Sequence, residues 1–353
     1  MIIQKNQLLE SLKVCMSAVK SNSNIRGADC FVFHKGRVYS YSDSISVSAP
    51  IKQTDLADDF EGCVKAEEFF KIVSKLSDNE IKFSTTEEGN WFFKSGKSKT
   101  EMALIDVDIK SILRAVRPDQ DNWIDVPEDF TYGIGLCKMT SNKTQVAGIY
   151  FSEDQIVSTD GNQMNNYNFK NAELPTFWIS DNSINELLKL KNIKSVQVQK
   201  SWVHFKTEDD VVFSVKTLQS DLYPYEKLKN ILNSSNAEDA AIHANLPKSL
   251  FEAIDRAVSF SIDIAKRPAV RLSISKDKIN VSSERSSGRF AEKVAWDDQI
   301  EDDFDSFVIY VDSAMIQSIS QKTTEFYFLK DTERLLFVTE NSKHILSTLD
   351  ENE

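Results

Sequence analysis

The chain of 353 residues carries 42 basic and 54 acidic side chains, which gives a formal net charge of −12 at pH 7. This balance excludes a protein that binds phosphates over its whole surface, but it allows one basic surface on an otherwise acidic molecule. The length suffices for two or three domains, and the hydrophobic content of 41% is typical of a globular protein.

The N-terminus and the cysteines point to a cytoplasmic protein. No apolar run reaches the roughly 18 residues of a membrane span, and the segment Met1–Asn6 lacks the basic and apolar regions of a secretory signal. The four cysteines, Cys15, Cys30, Cys63 and Cys137, show no paired or metal-ligand spacing. We expect free, partly buried thiols in a reducing cytoplasm, with no bound metal ion and no cofactor.

Two predicted helices recur in each of three successive segments of about 115 residues. In the first helix, Leu8, Leu12 and Cys15 recur at three- and four-residue steps, which indicates one apolar face. Two of the second helices begin with a Ser or an Asp in a capping position. The first helices are predicted at Asn6–Ser21, about Asp129–Asn142 and Pro247–Ala265, and the second helices at 65–76, 180–190 and 311–319.

Alternating polar and apolar residues predict strands after each second helix, joined in pairs by polar turns. Helices on one face of antiparallel sheets give an α+β fold. The strand pairs are predicted at Glu80–Ser84 with Trp91–Phe93, at Ser195–Gln199 with Val211–Val215, and at Glu325–Leu329 with Leu335–Val338. The threefold recurrence predicts three domains, over residues 1–120, 121–240 and 241–353.

Short motifs within the segments narrow the interpretation. A glycine-containing strand at Val146–Phe151 precedes a strand that ends in Thr159–Gly161. Tyr223-Pro224 follows the middle segment, and Ala253–Ala257 lies in the first helix of the last one. In their order and spacing these motifs resemble the bacterial DNA polymerase III beta subunits, which are the bacterial-type DNA sliding clamps. The resemblance covers the whole chain.

The resemblance implies three repeated clamp domains per subunit and a head-to-tail homodimeric ring that encircles duplex DNA. The ring tethers the replicative DNA polymerase as a processivity factor and has no catalytic activity of its own. Because a closed ring is retained by its topology, weak and salt-sensitive phosphate contacts are sufficient and permit sliding. The candidate DNA-binding residues lie on or beside the predicted helices and are Lys13, Lys20, Arg26, Lys71, Lys75, Lys138, Lys143, Lys189, Lys191, Lys248, Arg256, Lys266 and Arg267.

Members of this family also hold short peptide motifs of polymerases and clamp loaders in an apolar pocket between the second and third domains. An exposed apolar groove with a few polar groups is a plausible peptide site. The alternative for its apolar members is that they are buried core between domains. The pocket residues that the resemblance implies are Val146, Thr159, Gly161, Met164, Pro224, Lys227, Leu228, Ile345, Ser347 and Leu349.

The sequence departs from the family pattern at this pocket. The usual His-Arg after Thr-Asp-Gly is replaced by Asn162-Gln163, and the usual Met-Pro-Met-Arg ending is replaced by residues 346–349. These changes leave the fold and the ring in place but put the identity of the partner peptides in doubt. A divergent, virus-encoded clamp with its own partners is the hypothesis that fits them.

Two other function classes are possible for such a sequence, an enzyme and a protein–protein scaffold. An enzyme is disfavoured, because the four histidines lack metal-ligand spacing and no nucleophile elbow occurs. Ser95–Ser98 resembles the end of a phosphate-binding loop, but the required upstream glycine is absent, since position 91 is Trp91, so a hairpin turn is predicted. The remaining alternative is a protein–protein scaffold of clamp fold that does not encircle DNA.

Overall fold

The computed structural model divides into two compact units, which we describe separately. The described residues are 1–52, 60–110, 113, 117–119, 121–138, 147–264, 267–296, 306–320 and 323–349, without the side chains of 262–264, 267, 318 and 320. Unit 1 comprises Met1–Thr131, Phe151–Asp154 and Lys170–Ser220, and unit 2 comprises Tyr132–Tyr150, Gln155–Phe169 and Asp221–Glu353. No helix within these described ranges is long and apolar enough to cross a bilayer.

The second helix of each predicted segment forms where its sequence pattern indicates. In two of them a side chain caps the first turn: Ser180 accepts from the backbone N–H of Ser183, and Asp312 accepts from Ala314 and Met315. The helices of the described residues are α1 Lys5–Cys15, α2 Ala66–Lys75, α3 Phe130–Cys137, α4 Asp181–Leu187, α5 Tyr225–Ser234, α6 Lys248–Ala257 and α7 Ser313–Ser320.

Unit 1 contains two antiparallel sheets. It also contains most of strand β10 (Ile149–Glu153) and all of strand β13 (Leu174–Ile179). The four-stranded sheet has the order β1-β6-β7-β8, and the eight-stranded sheet has the order β5-β2-β3-β4-β16-β15-β14-β9. Their strands are β1 Ile2–Gln4, β2 Cys30–His34, β3 Arg37–Tyr41, β4 Ile45–Pro50, β5 Gly62–Lys65, β6 Glu80–Thr85, β7 Trp91–Ser95, β8 Ser98–Met102, β9 Ile124–Asp125, β14 Ile193–Gln199, β15 Trp202–Thr207 and β16 Val212–Lys216.

Unit 2 repeats this plan. One run of paired strands has the order β11-β12-β25-β24-β23-β17, and the other has the order β22-β19-β20-β21, with β18 also paired to β19. The strands are β11 Gln155–Thr159, β12 Gln163–Asn168, β17 Ile242–Asn245, β18 Ile262–Ile264, β19 Arg267–Ser275, β20 Lys278–Arg285, β21 Gly288–Ala295, β22 Phe307–Asp312, β23 Glu325–Leu329, β24 Arg334–Val338 and β25 Ser342–Ser347.

The strand orders establish the repetition that the sequence predicted. Three runs, β1-β6-β7-β8, β9-β14-β15-β16 and β17-β23-β24-β25, follow chain order. The runs β5-β2-β3-β4 and β22-β19-β20-β21 both place a late strand first. One hydrogen bond recurs in each of the three segments: a buried serine hydroxyl donates to the last carbonyl of the first helix. The pairs are Ser40 with Cys15, Ser158 with Cys137, and Ser283 with Ala257.

Each unit has its own apolar core. In unit 1 the rings of Phe33 and Trp91 meet edge to face at 4.9 Å, and Phe60 stacks on Trp91 at 4.5 Å. In unit 2 the buried side chains of α6 and α7 pack on β19, β20 and β24, with Leu250, Ile254 and Ile316 at most 1% exposed. All four cysteines are free and buried, as the sequence predicted. The α+β fold class is therefore confirmed, while the three domain boundaries stay a prediction.

Four expectations need correction. Strand β14 pairs with β15, which was not predicted, and not with the predicted partner at Val211–Val215, where β16 also pairs with β15. The first and third of the first helices are shorter than predicted, since they end at Cys15 and Ala257 and continue only as short 3₁₀ turns. Arg267, which was assigned to a helix, opens strand β19 instead. Helix α5 was not predicted, although Leu228 and Leu232 at a four-residue spacing are its buried positions. The phosphate-loop lookalike is a hairpin turn, as expected, with Ser95 paired to Ser98 and Gly96 at φ +55°.

Candidate partner-binding site and DNA-facing residues

A tight turn between β11 and β12 in unit 2 organises the predicted peptide site. The Thr159 hydroxyl donates to the carbonyl of Gln163 at 2.7 Å and accepts from the N–H of Gly161 at 3.0 Å. Gly161 has φ +96°, a conformation that glycine adopts without strain. The Asp160 carboxylate accepts the backbone N–H groups of Asn162 and Gln163, both at 3.0 Å. The turn at Thr159–Gly161 is therefore stabilised by hydrogen bonds among its own residues and the two that follow.

Gln163 extends this turn to the neighbouring strand β25. Its amide nitrogen donates to Asp160 at 3.2 Å, and its amide oxygen lies 3.1 Å from Nε2 of His344. Asp160, Gln163 and His344 are 3%, 5% and 7% exposed. Because the Gln163 amide nitrogen faces a carboxylate, its oxygen accepts and Nε2 of His344 carries the proton. A neutral amide thus replaces the positive charge that the family pattern carries here.

Four of the predicted pocket residues share one face of the sheet. Thr159 lies opposite Met164 across β11–β12, and Met164 lies opposite Ile345 across β12–β25. Residues opposite one another share a face, and so do residues two apart on one strand, which adds Ser347. Gln163 and His344 alternate with them and belong to the other face.

Helix α5 lies over the face that carries Met164. Gln155, which is on this face, donates to the Tyr225 hydroxyl at 2.8 Å and accepts from Asn166 at 3.0 Å. Lys343, also on this face, donates to the carbonyls of Leu232 and Ser235 at the end of the helix. Charge-assisted bonds of a lysine to free helix carbonyls stabilise a helix C-terminus. The helix is thereby fixed at both ends.

Three tyrosines anchor the segment that leads into α5. Tyr150 stacks on Tyr223 with ring centroids 4.8 Å apart, and on Tyr225 at 4.7 Å. The Tyr223 hydroxyl donates to the carbonyl of Val157 at 3.2 Å. Burial raises the pKa of Tyr150, so all its contacts are made by the neutral phenol. Leu222, immediately before this anchor, is 67% exposed.

The predicted pocket residues differ in exposure. Met164, Ile345 and Leu228 are 4%, 3% and 7% exposed, so core packing accounts for most of their surface, as the alternative interpretation held. Val146 lies outside the described residues. Leu349 packs against Ala269 and Tyr310. The remaining members are buried Thr159, half-buried Pro224 and Ser347, and exposed Gly161 and Lys227.

The predicted DNA-binding residues are exposed wherever their side chains are described. Three of them form ion pairs: Lys20 with Asp43 at 2.9 Å, Lys189 with Glu186 at 2.6 Å, and Arg256 with Glu292 through two bonds. The other described members make no ion pair within the described ranges, and they are Lys13, Arg26, Lys71, Lys75, Lys138, Lys191 and Lys248. Lys143 and Lys266 lie outside the described residues, as does the side chain of Arg267.

The helices carrying these cations are close to neutral. Helix α2 has Lys71 and Lys75 against two glutamates in its first turn. Helix α6 likewise has Lys248 and Arg256 against Glu252 and Asp255. In a chain of net charge −12 this is a relative excess of positive charge, but it is smaller than a count of lysines suggested.

A cavity of about 160 Å³ in unit 1 shares no lining residue with the predicted peptide site. Arg37 is fixed at its wall, since it donates to Asp210 at 2.5 Å and to the Ser48 hydroxyl at 2.7 Å. Ser214, another wall residue, bonds Nδ1 of His204 at 2.7 Å. Burial lowers the pKa of His204 to about 4, so this ring is neutral at pH 7. No sequence pattern indicated this cavity, because strand register creates it.

Comparison with known proteins finds similarity in structure only. No family model matches the sequence, and no curated protein matches it. The structure is similar to the DNA polymerase sliding clamp of Bacillus subtilis, with a TM-score of 0.79 and 20% identity over 99% of this chain and 98% of that one. It is similar to the DNA polymerase III beta chain of Streptococcus pneumoniae, with a TM-score of 0.80 and 15% identity over 99% of both chains.

A third similar structure is the Helicobacter pylori beta clamp bound to a DNA ligase peptide. Its TM-score is 0.78, with 17% identity over 99% of both chains. The similarity extends over nearly all of each chain. At these identities many side chains have changed while the backbone plan has not. This chain therefore has the fold of the bacterial DNA polymerase III beta subunits, the sliding clamps, in a divergent sequence.

Proposed function

We propose that the protein is a DNA sliding clamp, in which two copies join head to tail, encircle duplex DNA and tether a replicative polymerase. The observation that supports this most directly is the way the sheets are joined. At two places the end strand of one run pairs with the last strand of another, as β4 with β16 and β12 with β25. Continued once more, the rule pairs β21 with the last strand of a β1-β6-β7-β8 run.

The two strands that this rule pairs are both at sheet edges. Strand β21 ends one sheet of unit 2, and β8 ends the four-stranded sheet of unit 1. An edge strand offers a row of N–H and C=O groups that a second chain can pair with. Pairing β21 of one copy with β8 of another is a heterologous contact, and two such contacts close a twofold ring.

The register at the existing joins and the exposure of the strand faces together predict the register of this contact. Ile45 opens β4 and lies opposite Val215 near the end of β16, and Gln163 opens β12 and lies opposite Leu346 near the end of β25. Opposed residues must share a face. The register of the joins would place Gly288 opposite Glu101, but Gly288 shares the less exposed face of β21 with Phe290 and Val294, and Met102 lies on the less exposed face of β8. A shift of one residue satisfies the faces and places Gly288 opposite Met102 and the exposed Arg289 opposite the exposed Glu101, two opposite charges.

Within such a ring the exposed cations beside the helices would contact phosphates without sequence preference. The seven that make no described ion pair are the best candidates, and the acidic remainder of the surface would repel DNA from the outside. The proposed subunit is a non-catalytic one. Its buried free thiols are compatible with the reducing cytoplasm, where we place it.

The peptide site we propose is the edge of the sheet face beneath α5. Met164, Ile345 and Leu228 form the buried apolar layer beneath it, and Lys227 and Ser347 supply polar contacts at its margin. The similar Helicobacter pylori clamp binds a ligase peptide, and short motifs of a polymerase and a clamp loader are the expected ligands here. Replacing Leu228 by Ala should weaken binding of such a peptide, while Leu222→Ala serves as the matched control.

The first experiment is light scattering over a concentration series. A subunit of 40.1 kDa predicts a ring of about 80 kDa. Ser95 and Ser98 flank a two-residue turn, so Lys99 directs its N–H away from β7 toward the free edge. Lys99→Pro should therefore give a monomer, and Lys99→Ala a dimer. A persistent monomer in the unmodified protein, also after loading onto circular DNA, contradicts the proposal.

The alternative is a clamp-fold scaffold that never encircles DNA. The ion pairs of Lys20, Lys189 and Arg256 favour it, because they neutralise cations that the ring would use. Retention on nicked circular DNA, with release when the circle is linearised, distinguishes the two. A ring slides off the linear end, whereas a scaffold is not retained on either form.

A further inference from the structure

Three lysines form a row across the four-stranded sheet of unit 1. Lys82 on β6 lies opposite Lys94 on β7, and Lys94 lies opposite Lys99 on β8. All three are exposed. Neighbouring strands are about 4.8 Å apart, so the three backbone positions span roughly 10 Å. We call Lys82, Lys94 and Lys99 the lysine row.

The lysine row is costly for stability. Like charges directly opposite one another on adjacent strands destabilise a sheet. Within the described part of the chain, none of the three ammonium groups forms an ion pair or a hydrogen bond. A lysine can protect a free sheet edge, but that accounts only for Lys99, because β6 and β7 are interior strands of this sheet. In a chain of net charge −12, a cluster of this kind calls for a ligand.

The same face also carries apolar groups. Phe92 is half-buried and shares the face of Lys94, since the two are two residues apart on β7. Ile2, opposite Lys82 on β1, is 43% exposed. Lys97 adds an exposed cation in the turn between β7 and β8. Ile81, Phe83 and Phe93 point to the opposite face and are buried there. The outer face therefore combines cations with an aromatic edge.

We propose that the lysine row binds the backbone of single-stranded nucleic acid, with Phe92 in contact with a base. Sites for single strands combine a line of cations with aromatic side chains on which bases stack, and they need no sequence-specific donors. Lysine ammonium groups act as mobile point charges, which suits a flexible phosphate backbone. An acidic peptide would also be attracted to the cations, but it gives no role to Phe92. The site does not depend on ring closure.

The test uses the full chain and a fluorescently labelled oligothymidylate of about 20 nucleotides in anisotropy titrations at several salt concentrations. The variant Lys82→Gln/Lys94→Gln/Lys99→Gln removes the row. The matched control Lys35→Gln/Lys194→Gln/Lys216→Gln removes three exposed lysines of the same unit that belong to no proposed site. A separate variant, Lys13→Gln/Lys71→Gln/Lys75→Gln, removes lysines of the proposed DNA-facing surface. Phe92→Leu keeps an apolar side chain but removes the ring. A poly-glutamate peptide of equal charge is the competing ligand.

We expect the row variant to bind at least about tenfold more weakly and the logarithmic salt slope to fall by about 2, because each phosphate contact to a single strand contributes about 0.7. Phe92→Leu should weaken binding about fivefold. The control triple variant should bind the oligonucleotide as the unmodified chain does. Equal binding by the row variant and the unmodified chain overturns the proposal.

Two further outcomes also contradict the lysine-row site. If poly-glutamate binds as tightly as the oligonucleotide and Phe92→Leu has no effect, the row is a docking surface for an acidic protein. If Lys13→Gln/Lys71→Gln/Lys75→Gln loses the binding and the row variant does not, the single strand occupies the helix lysines. The second outcome would support the proposed DNA-facing surface while removing this site, so the two proposals fail separately.

Discussion

Gln163 accepts a hydrogen bond from Nε2 of His344 at 3.1 Å and donates to Asp160 at 3.2 Å. The three side chains lie in the interior at the join between β12 and β25. One amide therefore links the turn after β11 to the last strand of unit 2. Both of its partners are polar and buried, and each would lose one hydrogen bond if this amide were removed.

Replacement of Gln163 by Leu should lower the free energy of unfolding by about 1–3 kcal/mol, because two buried hydrogen bonds lose one of their partners. The urea midpoint of the full chain measures this. Gln199→Leu is the control, since its bond to Asp119 is exposed and its loss should shift the midpoint little. Equal midpoints for Gln163→Leu and the unmodified chain would show that solvent replaces the bridge.

The proposed subunit contact can be tested by exchange of charges between Glu101 and Arg289. Glu101→Arg and Arg289→Glu should each weaken the dimer, because each places two like charges opposite one another. The double variant should recover about 0.2–1 kcal/mol of coupling, as exposed ion pairs do. Dimer dissociation constants from sedimentation measure the cycle. Glu88→Arg, in an exposed turn of the same sheet, is the control, and zero coupling contradicts the predicted register.

The lysine row carries a prediction about stability. Lys94 has a lysine on each side, so Lys94→Gln should raise the free energy of unfolding by about 0.2–1 kcal/mol at low salt. The gain should vanish in high salt, because exposed charges are screened. Lys97→Gln, in the adjacent turn, removes the same charge without an opposed lysine and should gain less. A loss of stability in Lys94→Gln would mean that the three ammonium groups do not repel one another.

The sequence predicted elements whose signal is local. Helix α2 and the hairpin of β6 and β7 have a clear period, and Ser180 and Asp312 occupy capping positions that the structure confirms. Helix α5 was missed because only Leu228 and Leu232 are buried among polar neighbours. The early end of α6 at Ala257 depends on Ser283, whose hydroxyl bonds that carbonyl from a distant strand.

The lysine row and the Gln163 bridge depend on strand register, which cannot be inferred from the pattern of residue types along the sequence. Alternation marks Lys82 as an outward residue, but its position opposite Lys94 depends on the length of the turn at 86–90. The same holds for Gln163 and His344, which are 181 residues apart. The family resemblance located the turn at Thr159–Gly161, but the amide bridge that replaces the usual cation became apparent only from the packed strands.

His204 makes the stability of the protein dependent on pH. Burial lowers its pKa to about 4 in the folded protein, against about 6.5 for a free histidine, while a weaker attraction to Asp119 acts in the opposite sense. Between these values the unfolded chain binds more protons than the folded chain, so stability falls as the pH is lowered. The stability that this ring contributes is fully present above pH 6.5. About 3 kcal/mol of it is lost when the pH falls to 4.

Urea midpoints between pH 4 and pH 7 measure this effect against a variant that cannot titrate. His204→Asn keeps a polar atom near the Ser214 hydroxyl, which lies 2.7 Å from Nδ1, but removes the ionisable ring. We expect a shallower pH dependence in His204→Asn, even if its stability at pH 7 is lower. Leu222→Ala replaces a residue that is 67% exposed and has no ionisable group, so it should leave the slope unchanged. If both variants keep the slope of the unmodified protein, carboxylates rather than His204 cause the loss of stability in acid.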